Sequence, residues 1–124
     1  MTVIGFTEEL SVCKVRDASE IDFSRKFCFA CKAAEELSLV CLTDSVPENA
    51  VCREDGWKIF GIEGVLDFSL IGVLSKITSI LSENGIGVFA VSTYNTDYIL
   101  TKKENYEKSL RCLEKAGYTI RSAE

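Results

Sequence analysis

The sequence predicts an α+β fold in which antiparallel strands carry helices packed on one face. Three observations predict it. Between Trp57 and Tyr118, apolar runs and amphipathic patterns follow one another as strand, helix, strand, strand, helix, strand, the order of a ferredoxin-like half-sandwich. Two pairs of apolar runs flank short polar turns, as hairpins do. The chain of 124 residues, 47% hydrophobic, can bury one substantial core but has little room for a separate catalytic domain.

Taken in order, Leu10 to Val15 alternates as a half-buried strand, and a polar connection follows from Arg16 to Lys26. Phe27–Lys32 and Leu37–Leu42 read as strands joined by the polar turn Ala33-Ala34-Glu35-Glu36. The stretch from Thr43 to Gly56 holds the only proline, Pro47, with Asp44, Asn49, Asp55 and Gly56. This turn chemistry marks it as a connection and divides the chain into halves 1–56 and 57–124. Trp57 to Ile62 begins the second half as a strand, and a helix follows Asp67. The apolar residues Leu70, Val73, Leu74, Ile77, Ile80 and Leu81 make one stripe at helical spacing, and Asn84-Gly85 stops it. Ile86–Tyr94 and Asp97–Leu100 form a second hairpin through Asn95-Thr96. A helix over about Glu104 to Ala116 then buries Tyr106, Leu110 and Leu113, and Tyr118-Thr119-Ile120 closes the sheet. Phe29-Ala30 and Phe89-Ala90, sixty residues apart, each precede a hairpin turn, so the first half reads as a reduced copy of the second.

Charge and composition exclude several function classes. The formal charge of −5 is spread along the chain without a basic cluster, which counts against nucleic acid and anionic membrane as partners. Residues 1–5 carry no basic leader pattern, and no apolar run approaches bilayer length, so a cytoplasmic protein is expected. The six cysteines read as reduced, mostly buried thiols. Cys28 and Cys31 have CxxC spacing, but strand alternation would point their sulfurs to opposite faces, and no metal site or cofactor is expected. The absence of histidine removes every Ser–His or Cys–His nucleophile, leaving only carboxylate or lysine chemistry, so no enzyme is expected.

The segment Leu66-Asp67-Phe68-Ser69-Leu70 leads into a helix whose free N–H groups and positive dipole end suit a carboxylate. Asp67 and Ser69 also suit helix N-caps, and both readings stand at this point. Thr93, Thr96 and Asp97 offer hydroxyls and a carboxylate suited to an ammonium or guanidinium group, although Asn95-Thr96-Asp97 is also ordinary turn chemistry.

Glu63 to Ser69, the helix after Gly72, Asn84-Gly85-Ile86 and above all Val91-Ser92-Thr93-Tyr94-Asn95-Thr96-Asp97-Tyr98-Ile99-Leu100 resemble the small two-module ACT-domain proteins. Leu10-Ser11-Val12-Cys13 and Glu36 to Val40 extend the resemblance to the first half. The hairpin is similar to that of the CASTOR-type arginine sensors and, more remotely, of aspartate kinase regulatory domains. The resemblance implies tandem ACT-like modules, the first reduced. It also implies a non-catalytic regulatory protein, possible as a homodimer, that binds a small molecule, usually an amino acid, where ACT modules meet. Ligand contact is carried by resemblance onto Thr93, Tyr94, Thr96 and Asp97. The arginine sensors have an acidic residue near the position of Leu70, so arginine itself is not implied. The alternative reading is a ligand-free interaction module acting through a sheet edge or helix face.

Overall fold

In the computed structural model, residues 1–66 and 71–123 are described; Asp67, Phe68, Ser69, Leu70 and Glu124 lie outside them. The chain forms strands β1 (Thr2–Val15), β2 (Phe29–Lys32), β3 (Leu37–Leu42) and β4 (Ala50–Ile62), then helix α1 (Val73–Glu83). Strands β5 (Phe89–Ser92) and β6 (Asp97–Lys102), helix α2 (Lys103–Lys115) and strand β7 (Thr119–Ser122) complete it. A short 3-10 turn at Thr43–Ser45 follows β3. The chain divides into two compact units, Glu8–Trp57 and Met1–Thr7 with Lys58–Glu124, and β1 and β4 each contribute residues to both.

In the unit Glu8–Trp57, the strand order is β2-β3-β1-β4. Strand β3 pairs antiparallel with both neighbours, Leu37 facing Val15 on one side and Lys32 on the other. Cys13, Val15, Leu39 and Cys41 bury together, with Ile21, Val46 and Ala50 packed against them. No α-helix lies within this unit. Its connection after β1 is instead tied by two Asx-type turns, in which the carboxylates of Asp17 and Asp22 accept N–H and hydroxyl bonds from Ser19 and Ser24.

In the other unit the order is β5-β6-β4-β1, and β1 also pairs with β7. That last pairing is parallel, Thr2 to Thr119 through Gly5 to Ser122, so the sheet is antiparallel except at this edge. Both helices bury on one face. Ile77 and Leu81 of α1 and Tyr106 and Leu113 of α2 join Val3, Phe60, Ile62 and Ile99 in a single apolar cluster. Each such fully buried aliphatic side chain contributes about 1.5–3 kcal/mol. Both helices end alike: the N–H of Ile86 reaches back to Leu81 O and that of Tyr118 to Leu113 O, with Gly85 and Gly117 at positive φ between. Only glycine takes that conformation without strain, which is why Asn84-Gly85 and Ala116-Gly117 stop the helices.

Several boundaries differ from the sequence reading. β1 starts at Thr2 rather than Leu10, and β4 starts at Ala50 inside what reads as a connection. The reason is pairing at long range: β1 hydrogen-bonds to β7, and the β1–β4 partnership runs from Glu63 N–H on Thr2 O to Arg16 N–H on Asn49 O. Helix α1 begins at Val73, with Gly72, at φ 81°, in the N-cap position; Asp67 and Ser69, read from sequence as N-cap candidates, lie outside the described residues. The cysteines are all free, but only Cys13 and Cys41 are buried; Cys31 and Cys52 are exposed. No helix among the described residues is long and apolar enough to cross a membrane.

The Tyr106 hydroxyl pins α2 to two strands. It accepts the Phe6 N–H at 3.0 Å and donates to the Ile59 carbonyl at 2.9 Å. Tyr106→Phe removes the hydroxyl's bonds to the Phe6 N–H and the Ile59 carbonyl and should cost about 1–3 kcal/mol in urea unfolding. Burial pushes the Cys41 thiol up to about 12 and raises Cys13 as well. The folded state therefore holds protons that the unfolded chain releases from about pH 9, the ordinary thiol value, so stability should fall as pH rises from there towards 12. Under native conditions an alkylating reagent followed by mass spectrometry should label Cys31 and Cys52 and spare Cys13 and Cys41.

Candidate functional site

The β5–β6 hairpin closes on itself through side chains as well as backbone. The Thr93 N–H and hydroxyl both donate to Thr96 O, at 2.8 and 2.9 Å, leaving Tyr94 and Asn95 as a two-residue tip. At the foot of the turn, Ser92 and Asp97 face each other in register, and the Ser92 hydroxyl donates to Asp97 Oδ1 at 2.6 Å. A carboxylate so engaged keeps a second oxygen for other donors.

Two bonds fasten this tip to the end of β4. The buried Thr96 hydroxyl donates to Ile62 O at 2.9 Å, and the Leu66 N–H donates to Asn95 O at 2.6 Å. Below them, a Cβ on Gly61 would stand 2.9 Å from the Tyr98 ring, so glycine there lets the tyrosine lie flat on β4.

The result is a cleft of about 570 Å³ between the hairpin and the start of α1, lined by Leu66, Gly72 to Ser75, Thr78 and Ser92 to Asp97. It brings together five of the residues expected from sequence: Leu66, Thr93, Tyr94, Thr96 and Asp97. Thr96 is largely committed, its hydroxyl being buried and bonded to Ile62, whereas Tyr94 is 79% exposed at the rim. The other four, Asp67, Phe68, Ser69 and Leu70, lie outside the described residues.

Sequence reasoning missed Gly72, Val73, Leu74, Ser75 and Thr78, because it started the helix too early, and it missed Ser92 and Asn95. The Ser92 signal was present: residues flanking a four-residue hairpin loop face each other, so Ser92 and Asp97 could have been read as a pair. Among the described residues no side chain caps α1. Its first N–H groups, those of Val73, Leu74 and Ser75, have no partner within the helix and sit in the cleft wall. One side of the cleft thus favours negative charge, while the Asp97 carboxylate and the Thr93 hydroxyl on the other favour a cation or hydrogen-bond donor. Among the described residues no three Cys, Asp or Glu side chains stand together as metal ligands.

A family model described as ACT domain matches residues 53–115. No curated protein matches the chain in sequence. Among solved structures, an Agobacterium tumefaciens protein is similar at 28% identity and a TM-score of 0.87, covering 99% of this chain and 93% of that one. A Vibrio cholerae protein described as of unknown function and a possible transport protein is similar at 18% identity, with a TM-score of 0.72 and coverage of 90% and 86%. The ligand-free regulatory subunit of aspartate kinase from Thermus thermophilus aligns at 11% identity and a TM-score of 0.68, covering 94% and 97%. The last two show a shared fold.

Replacing the Thr96 hydroxyl by a methyl group tests the fastening of the hairpin. Thr96→Val keeps the volume but leaves the Ile62 carbonyl unpaired, and should lower stability by about 1–2 kcal/mol in a denaturant titration.

Proposed function

The chain belongs to the ACT domain family, and on that premise we propose that it is a non-catalytic regulatory protein that binds a small molecule, an amino acid, in the cleft between α1 and the β5–β6 hairpin. The observation that carries the reading is the pairing of opposite chemistries in one cleft. The N–H groups of Val73, Leu74 and Ser75, uncapped by any side chain among the described residues, line one wall, and Asp97 with Thr93 lines the other. An α-amino acid presents a carboxylate and an ammonium a few bonds apart and matches both walls. Leu66 and Tyr94 supply apolar surface at the edge.

The fold shared with the Thermus thermophilus regulatory subunit supports the regulatory part of the proposal. In this reading the chain is one layer of a tandem arrangement whose first module, within residues 1–56, is reduced, and 57–124 is the complete one. The ligand is held where ACT modules meet. The segment Asp67, Phe68, Ser69 and Leu70 joins the site as proposed ligand contacts. The chain acts as a cytoplasmic sensor and pairs as a homodimer.

A second reading, an interaction module without ligand, is favoured by one observation. Val65, Ile71 and Tyr94 are large apolar residues at 72%, 97% and 79% exposure around this end of the unit.

A thermal-shift screen of the twenty amino acids separates the two. A ligand at 100 times its Kd should stabilise the protein by about 2.7 kcal/mol, a shift of several degrees. Asp97→Ala should remove that shift while leaving the melting of the free protein nearly unchanged. No shift with any amino acid at millimolar concentration would sink the ligand reading and leave the interaction module.

A further inference from the structure

Strand register brings two sulfurs together in the unit Glu8–Trp57. Along β1 and β3, Ser11 faces Cys41 and Cys13 faces Leu39, so Cys13 and Cys41 are diagonal neighbours on one face of the pair. Both are buried, at 4% and 3% exposure, in one apolar cluster with Val15 and Leu39. The Cys41 thiol donates to the Cys13 sulfur, and the Cys13 S–H donates to Leu39 O at 3.4 Å. A third sulfur, that of the partly buried Cys28, packs against the same cluster. It follows Phe27, whose φ of 55° is a strained conformation for a bulky side chain. Cys31, three residues on, is exposed, so the CxxC pair is not held together.

Size decides what the buried pair can do. A disulfide joins Cα atoms about 4.4–6.8 Å apart, whereas diagonal cross-strand neighbours stand roughly 7–8 Å apart, so that bond would have to pull β1 and β3 together. Zinc takes four ligands, and among the described residues no three Cys, Asp or Glu side chains stand together. A soft monovalent d10 ion needs only two thiolates in line. Two metal–sulfur bonds of about 2.3 Å, the zinc–thiolate length, span about 4.6 Å and bridge hydrogen-bonded sulfurs with little movement.

We propose that Cys13 and Cys41 form a two-coordinate site for a soft monovalent metal ion of the Cu(I) class. The site shares no residue with the cleft beside α1 and does not depend on what that cleft binds. Uptake replaces both thiol protons: one M⁺ and two S–H groups give a bis-thiolate complex of one net negative charge and two released protons. The Arg53 guanidinium acts on both sulfurs as the compensating positive group, and Asp55, which it pairs at 3.0 Å, opposes it at Cys13. Val15, Leu39 and the residues packed on them keep water and oxygen ligands away, which favours a thiophilic ion over a hard one. Cys28 is the entry ligand, passing the ion from solvent to the buried pair by thiolate exchange.

The test is an oxygen-free titration of the full-length, isotopically labelled chain with Cu(I) supplied as its bicinchoninate complex. The colour of the competitor reports affinity, and NMR reports position. With the first equivalent, the Cβ resonances of Cys13 and Cys41 should move, as should the amides of Val12 to Lys14 and Val40 to Leu42. The variant C31A/C52A, which lacks the two exposed thiols, should take up that equivalent unchanged. Cys13→Val and Cys41→Val should each weaken it at least about hundredfold, the upper end of what loss of an outer-shell partner costs. Cys28→Ser should slow loading and leave the affinity in place. Three outcomes would overturn the site: unmoved Cβ resonances at Cys13 and Cys41, loss of the first equivalent in C31A/C52A, or full affinity in both valine variants. The Cβ readout comes from the unaltered chain and decides the matter even where a core variant does not fold. Loading of Cys28→Ser at the normal rate would overturn the entry role.

Discussion

The hydrogen bond from the buried Thr96 hydroxyl to the Ile62 carbonyl is the constraint on which the cleft depends. A two-residue hairpin tip left to itself is marginal, since a lone hairpin has too little buried surface to hold one geometry. Here the tip is tied to the end of β4 by a side chain, and Leu66 is tied back to Asn95 by its backbone. With those two bonds in place, the Asp97 carboxylate and the first turn of α1 stand as opposite walls of one space. The same threonine therefore belongs to the fold and to the site. A residue can serve both because the hydroxyl faces inward while its backbone closes the turn.

Helix attachment follows a similar logic in the same unit. α1 and α2 have weakly informative ends on their N-terminal sides, with no side-chain cap at either among the described residues. What positions them is their apolar stripe on the sheet, Ile77 and Leu81 from one and Tyr106 and Leu113 from the other, together with the glycine stops that fix where each chain leaves its helix. An uncapped N-terminus leaves backbone donors unsatisfied, which a stable helix tolerates when its stripe is well buried. At α1 those first N–H groups border the cleft, where the proposed anion contact would meet them.

The unit Glu8–Trp57 reaches a comparable strand arrangement by other means. Its core is small, built around Cys13, Val15, Leu39 and Cys41, and the Asx-type turns at Asp17 and Asp22 organise a connection that carries no helix. Cysteine behaves here as a compact apolar residue whose buried thiol stays protonated. The matched register of the two hairpins shows that strand pairing, rather than helix packing, is what the two units have in common.

Local pattern in the sequence was enough to determine the α+β class, both helices, both hairpins and the hairpin half of the candidate site. Those features are set by short-range chemistry: helical spacing of Ile77 and Leu81, Gly85 and Gly117 as stops, and a polar pair at each turn. Tertiary structure alone decided that Thr2 to Glu9 and Ala50 to Gly56 are strand, since neither stretch has a clean alternation and each is held by partners far away in the chain. It also decided that α1 begins at Val73, that Cys31 and Cys52 face solvent, and that Ser75 and Thr78 share a cleft with Asp97. Contacts between segments twenty or more residues apart leave no periodic trace in either segment, and for that reason only the folded chain could show them.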